Sequence, residues 1–226
     1  MKYEIQGSNL PVVNIKLNRG ESIYTQSGGM AWMDDGITMQ TNMRGGLGKS
    51  FARMFTGESF FMATYQATKD EAQIAFASTF VGTIMPVELG YGHNLICQKD
   101  AFLCAEESVH LDTVFTKKFT AGLFGGEGFL LQKLSGRGMA FLEIDGDLIV
   151  KELGPNEIIK VDTGHVAAFE EHMQYDIEMV KGFKNILFGG EGLFLTTVRG
   201  PGKVYLQTMN VQSLAQRIIP FVPSGS

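Results

Sequence analysis

The chain has 226 residues, 44% of them hydrophobic and 19% charged, enough to bury a sizeable core and too apolar for a disordered segment. A formal net charge of −5 argues against broad binding to nucleic acid or anionic membrane, which draws on clustered Lys and Arg. No apolar run approaches the roughly 18 residues of a membrane-crossing helix, and "MKYEIQGSNLP" has neither an apolar signal core nor a transit-peptide composition, so a cytoplasmic protein is expected.

The first strands are read at "ESIYTQ" (21–26) and "MAWM" (30–33), short segments rich in aromatic and β-branched residues. "RGGLGKSFARMFTGESFF" (44–61) then raises a nucleotide-binding question. A phosphate loop needs a Gly, four residues, then Gly-Lys-Ser/Thr, and the first Gly shapes the turn that aims N–H groups at phosphate. Gly48-Lys49-Ser50 supplies the end, but Met43 stands where the first Gly belongs, and Thr56-Gly57 interrupts the helix that should follow. These glycines are read as turn residues, and "SFARMF" (50–55) is too short to define a helix.

Farther on, Cys97 and Cys104 are seven apart. Within one strand such residues face opposite ways, so they are read as buried reduced thiols. Gly136-Arg137-Gly138 and Gly200-Pro201-Gly202 sit between apolar runs as hairpin turns do, and Ile144-Asp145-Gly146-Asp147-Leu148 is a further turn. "EIIKV" (157–161) and "HVAAF" (165–169) are strands; "NVQSLAQRI" (210–218) is a short C-terminal helix stopped by Pro220. Beyond it, Ile218, Ile219, Phe221 and Val222 make "IIPFVPSGS" either a docking segment or a disordered end.

Internal repetition sets the architecture. "MFTGESFFMATY" (54–65), "LFGGEGFLLQKL" (123–134) and "LFGGEGLFLTTV" (187–198) share an apolar-Phe-x-Gly-Glu-small pattern followed by three apolar residues. "ELGYGHNLICQKDAFLCA" from Glu88 aligns with "ELGPNEIIKVDTGHVAAF" from Glu152, and "NRGESIYTQSGGMAWM" from Asn18 places Glu21 and Gly28 with Glu157 and Gly164. Three copies of one two-part strand unit follow, at about 17–80, 88–147 and 152–211. The expectation is an all-β single domain over 1–226. It is a jelly-roll-like, double-stranded β-helix-type sandwich with three internal repeats and a short C-terminal helix. The signature residues Phe55, Gly57, Glu58, Phe124, Gly126, Glu127, Phe188, Gly190 and Glu191 are read as structural: Gly admits positive φ at the strand entry, and the carboxylates accept nearby N–H groups.

The segments "IQGSNLPVVNIKLNRGESIYTQSGGMAWM", "GGLGKSFARMFTGESFF" and "GKVYLQTMNVQSLAQRI" together resemble the altered-inheritance-of-mitochondria protein 24 family, over nearly the whole chain. The resemblance implies a bacterial member with a fold like that of the tryptophan RNA-binding attenuator protein, tending to ring-like or trimeric assembly. It also implies eukaryotic relatives acting in mitochondrial inner-membrane organisation, a role that the missing presequence keeps from direct transfer. It supplies no catalytic residues.

For function, three classes compete. A cupin-like metal enzyme needs His-x-His, a Glu and a later His; His93, His110, His165 and His172 lack that spacing. His165, Glu170, Glu171 and His172 allow a three-ligand set on paper, but they are read as turn residues, with no metal or cofactor expected. Gly-x-Ser-x-Gly is absent and neither cysteine has a nucleophile context, so no catalysis is expected. RNA binding would use Arg137, Arg199, Lys203 and Lys117-Lys118, yet the first copy carries Thr68-Lys69-Asp70-Glu71 at the matching turn. By elimination the chain reads as a homo-oligomeric β scaffold, a trimer favoured, that binds a protein or small molecule, with a membrane surface open as a partner.

Overall fold

The computed structural model describes residues 1–26, 28–42, 62–117, 129–179 and 194–222, and the account below concerns those. In chain order the strands are β1 (Lys2–Gln6), β2 (Val12–Leu17), β3 (Ser22–Gln26), β4 (Met30–Met33), β5 (Ile37–Asn42), β6 (Met62–Ala67) and β7 (Ala72–Ala77). They continue as β8 (Gly82–Leu89), β9 (Leu95–Gln98), β10 (Phe102–Glu106), β11 (Val109–Lys117), β12 (Phe129–Gly136) and β13 (Gly138–Asp145). The last are β14 (Leu148–Leu153), β15 (Ile158–Asp162), β16 (Val166–Glu170), β17 (Gln174–Met179), β18 (Phe194–Arg199) and β19 (Gly202–Gln207), followed by helix α1 (Val211–Ile218). The signature residues Phe55, Gly57, Glu58, Phe124, Gly126, Glu127, Phe188, Gly190 and Glu191, and "SFARMF", lie outside the described residues.

The chain forms two compact units, each an antiparallel sandwich. The first comprises Met1–Tyr91, Phe102–His110 and Gly136–Glu143. It contains a four-stranded sheet of order β1-β2-β7-β4 and a six-stranded sheet of order β5-β6-β3-β10-β13-β8. Alternation explains the packing: in β2, Val13, Ile15 and Leu17 point inward and Lys16 outward. They meet Ile74 and Phe76 of β7, and Ile23, Tyr65, Leu103 and Phe141 of the larger sheet, in one apolar core. Tyr65 and Phe76 meet edge to face, a favourable aromatic geometry, with ring centroids 5.9 Å apart.

The second unit comprises Gly92–Ala101, Leu111–Ser135 and Ile144–Ser226. Its six-stranded sheet has the order β11-β12-β9-β16-β19-β14, and its three-stranded sheet the order β15-β18-β17. Leu131, Phe169 and Val204 from the larger sheet pack with Ile177 and Val198 from the smaller. None of the described sheets closes into a barrel.

The strand orders repeat with a period of six. Adding six to each number in β5-β6-β3-β10-β13-β8 gives β11-β12-β9-β16-β19-β14. The smaller sheets are the two halves of that same order: β4-β7-β2 matches β10-β13-β8, and β17-β18-β15 matches β11-β12-β9. A bulge recurs at the matching place each time, between Met30 and Trp32, Phe102 and Cys104, and Val166 and Ala168.

Several sequence expectations meet their elements. "MAWM" is β4 as read, and α1 begins one residue after Asn210. The hairpin reading of the glycine turns is corrected: Gly136–Gly138 joins β12 to β13 and Gly200–Gly202 joins β18 to β19, but the two strands at each turn belong to different sheets, so the glycines carry the chain from one sheet into another. One argument changes: Cys97 and Cys104 are not in one strand but in β9 and β10, with the short 3₁₀ turn Lys99–Ala101 between, so strand alternation does not apply to them. Both are buried free thiols. The tail forms a 3₁₀ turn over Ile219–Phe221, with Ile218, Ile219, Phe221 and Val222 exposed; residues 223–226 lie outside the described residues.

Candidate functional site

The chemistry-bearing side chains gather beside the turns that carry the chain from one sheet into another, and the same arrangement occurs three times. The last ladder pairs are Met33 with Ile74, Ala105 with Ala140, and Phe169 with Val204. At the next position the strand residue is Asp34, Glu106 or Glu170, and its side chain takes the N–H of the residue opposite. Gln73 N–H donates to Asp34 Oδ2 at 2.9 Å, Met139 N–H to Glu106 Oε2 at 2.7 Å, and Lys203 N–H to Glu170 Oε2 at 3.1 Å. A donor that the ladder would leave unpaired beside a turn is satisfied by a carboxylate, a strong charge-assisted bond.

Gly202 makes room for the third of these clamps. Its φ of +142° is a conformation L side chains rarely adopt, and a Cβ there would lie 2.8 Å from both Glu170 Oε2 and Met173 Sδ.

Of the three carboxylates, Glu170 has histidines beside it: His93 Nε2 and His172 Nε2 each lie 3.9 Å from one of its oxygens. His93 precedes β9, and His172 follows β16 in the turn to β17. His172 Nε2 is 3.0 Å from the Pro201 carbonyl, so this nitrogen carries the proton and has no lone pair for a metal. Next to them, Lys133 Nζ meets Glu171 Oε1 at 2.5 Å and Asn94 Nδ2 donates to Glu171 Oε2 at 2.8 Å. The Lys133 hydrogen bond, then that of Asn94, holds the Glu171 carboxyl below its ordinary value. Burial, and secondarily the Glu170 charge, pushes the Tyr205 phenol up.

The ligand set available on paper does not assemble. His165 lies at the opposite end of β16, its Nδ1 2.8 Å from the Gln207 carbonyl, while Glu170 meets His93 and His172 instead. Among the described residues no three His, Cys, Asp or Glu side chains are grouped to hold a metal ion. His93 was within reach of sequence reasoning, because the alignment of Glu88 with Glu152 puts it level with Glu157. In the outer copies that position closes a turn: Asn18 N–H donates to Glu21 Oε2, and Gly154 N–H to Glu157 Oε2, each at 2.8 Å.

The basic turns differ from one another. Lys69 is ion-paired with Asp35. Arg137 bonds the Tyr91 hydroxyl, with its guanidinium carbon 4.6 Å from the ring centroid, and Tyr91 is 96% exposed. Arg199 and Lys203 are exposed at the third turn, Lys117 ends β11, and Lys118 lies outside the described residues. Elsewhere, the buried Glu143 carboxylate accepts from Thr79 N–H at 2.7 Å, Thr79 Oγ1 at 2.9 Å and Ser78 Oγ at 3.2 Å.

Fold and site together define an all-β sandwich protein whose carboxylates fasten turns and strand ends. Residues 3–209 match the family described as mitochondrial biogenesis AIM24, and the chain belongs to that family. It is 30% identical, over 236 aligned positions covering 100% of this chain and 93% of the relative, to an uncharacterised protein of Streptococcus pyogenes serotype M6. The X-ray structure of a Streptococcus pyogenes protein superposes with a TM-score of 0.80 at 27% identity, covering 98% of this chain and 99% of that one. No helix among the described residues is long and apolar enough to cross a membrane.

Proposed function

We propose that the chain is a non-catalytic, cytoplasmic β scaffold that works by binding, assembled from three copies of one strand unit and acting as a homo-oligomer, with a trimer favoured. The observation that carries this reading is the threefold clamp: Asp34, Glu106 and Glu170 each accept a backbone N–H beside the matching turn. Catalytic carboxylates are held where a substrate proton can reach them; these are committed to the fold. The period of six in the strand orders supports the repeat reading and, with it, the attenuator-like architecture. Exposed apolar residues such as Trp32, Met39, Ile149, Val150 and Phe221 supply surface for partners.

Native mass spectrometry of the untagged protein, taken directly from the cell, tests the proposal. A mass that is a clean multiple of 24.8 kDa supports it. A monomer refutes the assembly, and excess mass released on activation would put a retained ligand at the centre of the function instead.

RNA binding is the second reading, favoured by the Arg137–Tyr91 pair, since a cation beside an exposed ring is a surface on which a base can stack. Filter binding with single-stranded RNA at two salt concentrations separates it from the first: salt-sensitive retention that Tyr91→Ala abolishes would favour RNA.

A further inference from the structure

Two strand edges in the chain are matched to each other. In the first unit β10 pairs with β3, Ala105 opposite Tyr24 and Glu106 opposite Ile23. In the second, β16 pairs with β9 in the same way, Ala168 opposite Cys97, Phe169 opposite Ile96 and Glu170 opposite Leu95. By the period of six, the remaining members of this series are β4, the counterpart of β10 and β16, and β15, the counterpart of β3 and β9. Among the described residues each is the terminal strand of its sheet, and its open side is the one its counterparts use for this pairing.

Burial shows the difference. Phe102–Ala105 of β10 and Val166–Phe169 of β16 are buried without a break, as are Leu95–Cys97 of β9. In β4, by contrast, Trp32 is 54% and Met33 38% exposed, and in β15 Ile158 is 46% exposed. Natural sheets blunt a permanent free edge with charges, proline or bulges that turn it away. β4 has a bulge on its paired side and offers a Trp and a Met at its surface; β15 has a single mid-strand Lys160 between apolar neighbours.

We propose that a second copy of this chain docks its β15 along the open edge of β4, completing a six-stranded sheet of the order found twice within the chain. This rests on the scaffold reading and names its interface. Carrying the register of β16 with β9 over to the two edges puts Trp32 opposite Val161, Met33 opposite Lys160 and Asp34 opposite Ile159. An aromatic opposite a β-branched residue is a favourable cross-strand pair. The interface is head to tail, because it joins β4 of one copy to the different strand β15 of another, so assembly closes into a ring or grows as an open chain.

Cross-linking between two differently labelled proteins tests this. Met33→Cys and Lys160→Cys change exposed side chains, and the native thiols are buried and inert, Cys97 pushed up to about 12 by burial. Under mild oxidation the mixture should give a disulfide-linked dimer through residues 33 and 160, found by peptide mapping. Each variant alone should not form this bond, since facing Cα atoms of paired strands lie within disulfide reach only for that combination. If native mass spectrometry finds an oligomer but the mixture gives no such bond, the edge assignment fails while the scaffold reading stands. A monomer ends both, and a double variant that bonds within one chain overturns the proposal. On the unmodified protein, hydrogen exchange provides the second measurement: amides of Trp32–Met33 and Ile158–Asp162 should slow at least about tenfold as concentration rises, an effect of burying edge N–H groups. Exchange independent of concentration in an oligomeric sample overturns the edge pairing.

Discussion

Replacing Gly202 by Ala tests whether the carboxylate clamps hold the fold. Two costs are separable at this position. At φ +142° a side chain strains the backbone, costing about 1–2 kcal/mol. The added Cβ would also lie 2.8 Å from Glu170 Oε2, forcing the carboxylate off the Lys203 N–H, and loss of a hydrogen bond to a charged group costs about 1.5–3 kcal/mol. The sum is about 2.5–5 kcal/mol. Gly20, at φ +87° with nothing within 4 Å of where a Cβ would stand, carries only the first cost, so Gly20→Ala is the control. For a chain of this size each kcal/mol moves the melting temperature by about 2–4 °C. Gly202→Ala should therefore melt roughly 3–12 °C below Gly20→Ala by differential scanning calorimetry. A double-mutant cycle with Glu170→Ala should show the two changes costing less together than separately, because the alanine at 170 removes the crowded carboxylate. Equal melting of the two glycine variants, or strict additivity in the cycle, would refute the clamp.

Other consequences are simpler to measure. Phe169 is fully buried with its ring centroid 5.0 Å from that of Tyr175, so Phe169→Ala should cost about 3–5 kcal/mol in urea unfolding, whereas Tyr91→Ala at an exposed ring should change stability by less than about 0.5 kcal/mol. The Glu171 carboxyl is held below its ordinary value of 4.5 chiefly by Lys133, so the folded state binds its proton less readily than the unfolded chain. That contribution is fully present above the unfolded value and is lost as pH falls through the folded one. Melting temperatures of wild type and Lys133→Met should thus differ by a constant amount well above pH 4.5 and converge as pH falls through the lowered folded value. Convergence at high pH instead would contradict the assignment. Both thiols are buried, with Cys97 pushed up to about 12 and Cys104 well above its usual value. Ellman's reagent at pH 8 should find no fast-reacting thiol in the folded protein and 2 in urea, matching Cys97 and Cys104.

Much of the strand layout could be read from local chemistry. "MAWM" and "EIIKV" carry β-branched and aromatic residues between turn formers, and glycines at 136, 138, 200 and 202 mark turns, although these pass between sheets and are not hairpins. The polar site was less legible because it depends on which strands become neighbours. His93 and Glu170 are far apart in sequence, and it is the pairing of β9 with β16 that brings their strands together. The four residues that the sequence allows as ligands are close along the chain, but β16 is extended, and five residues of strand carry His165 and Glu170 to opposite ends. Cys97 and Cys104 illustrate the same limit: a three-residue 3₁₀ turn, invisible to the period-two reading, puts them in separate strands.

Where the three matching sets of strands agree and where they part separates architecture from what is free to vary. The bulge and the clamp recur at all three matching places, so both satisfy a need set by the strand geometry itself: bending the strand, and pairing a donor beside the turn. Departures have no such explanation. Glu21 and Glu157 close their turns through their own side chains, while the middle copy has His93 at that position and places it beside Glu170. β10 and β16 are buried along their length, while β4 and β15 keep apolar side chains at the surface. On the edge-pairing proposal, Trp32 and Met33 are the side chains a second copy would cover, and the register of β16 with β9 is the one that pairing would reproduce.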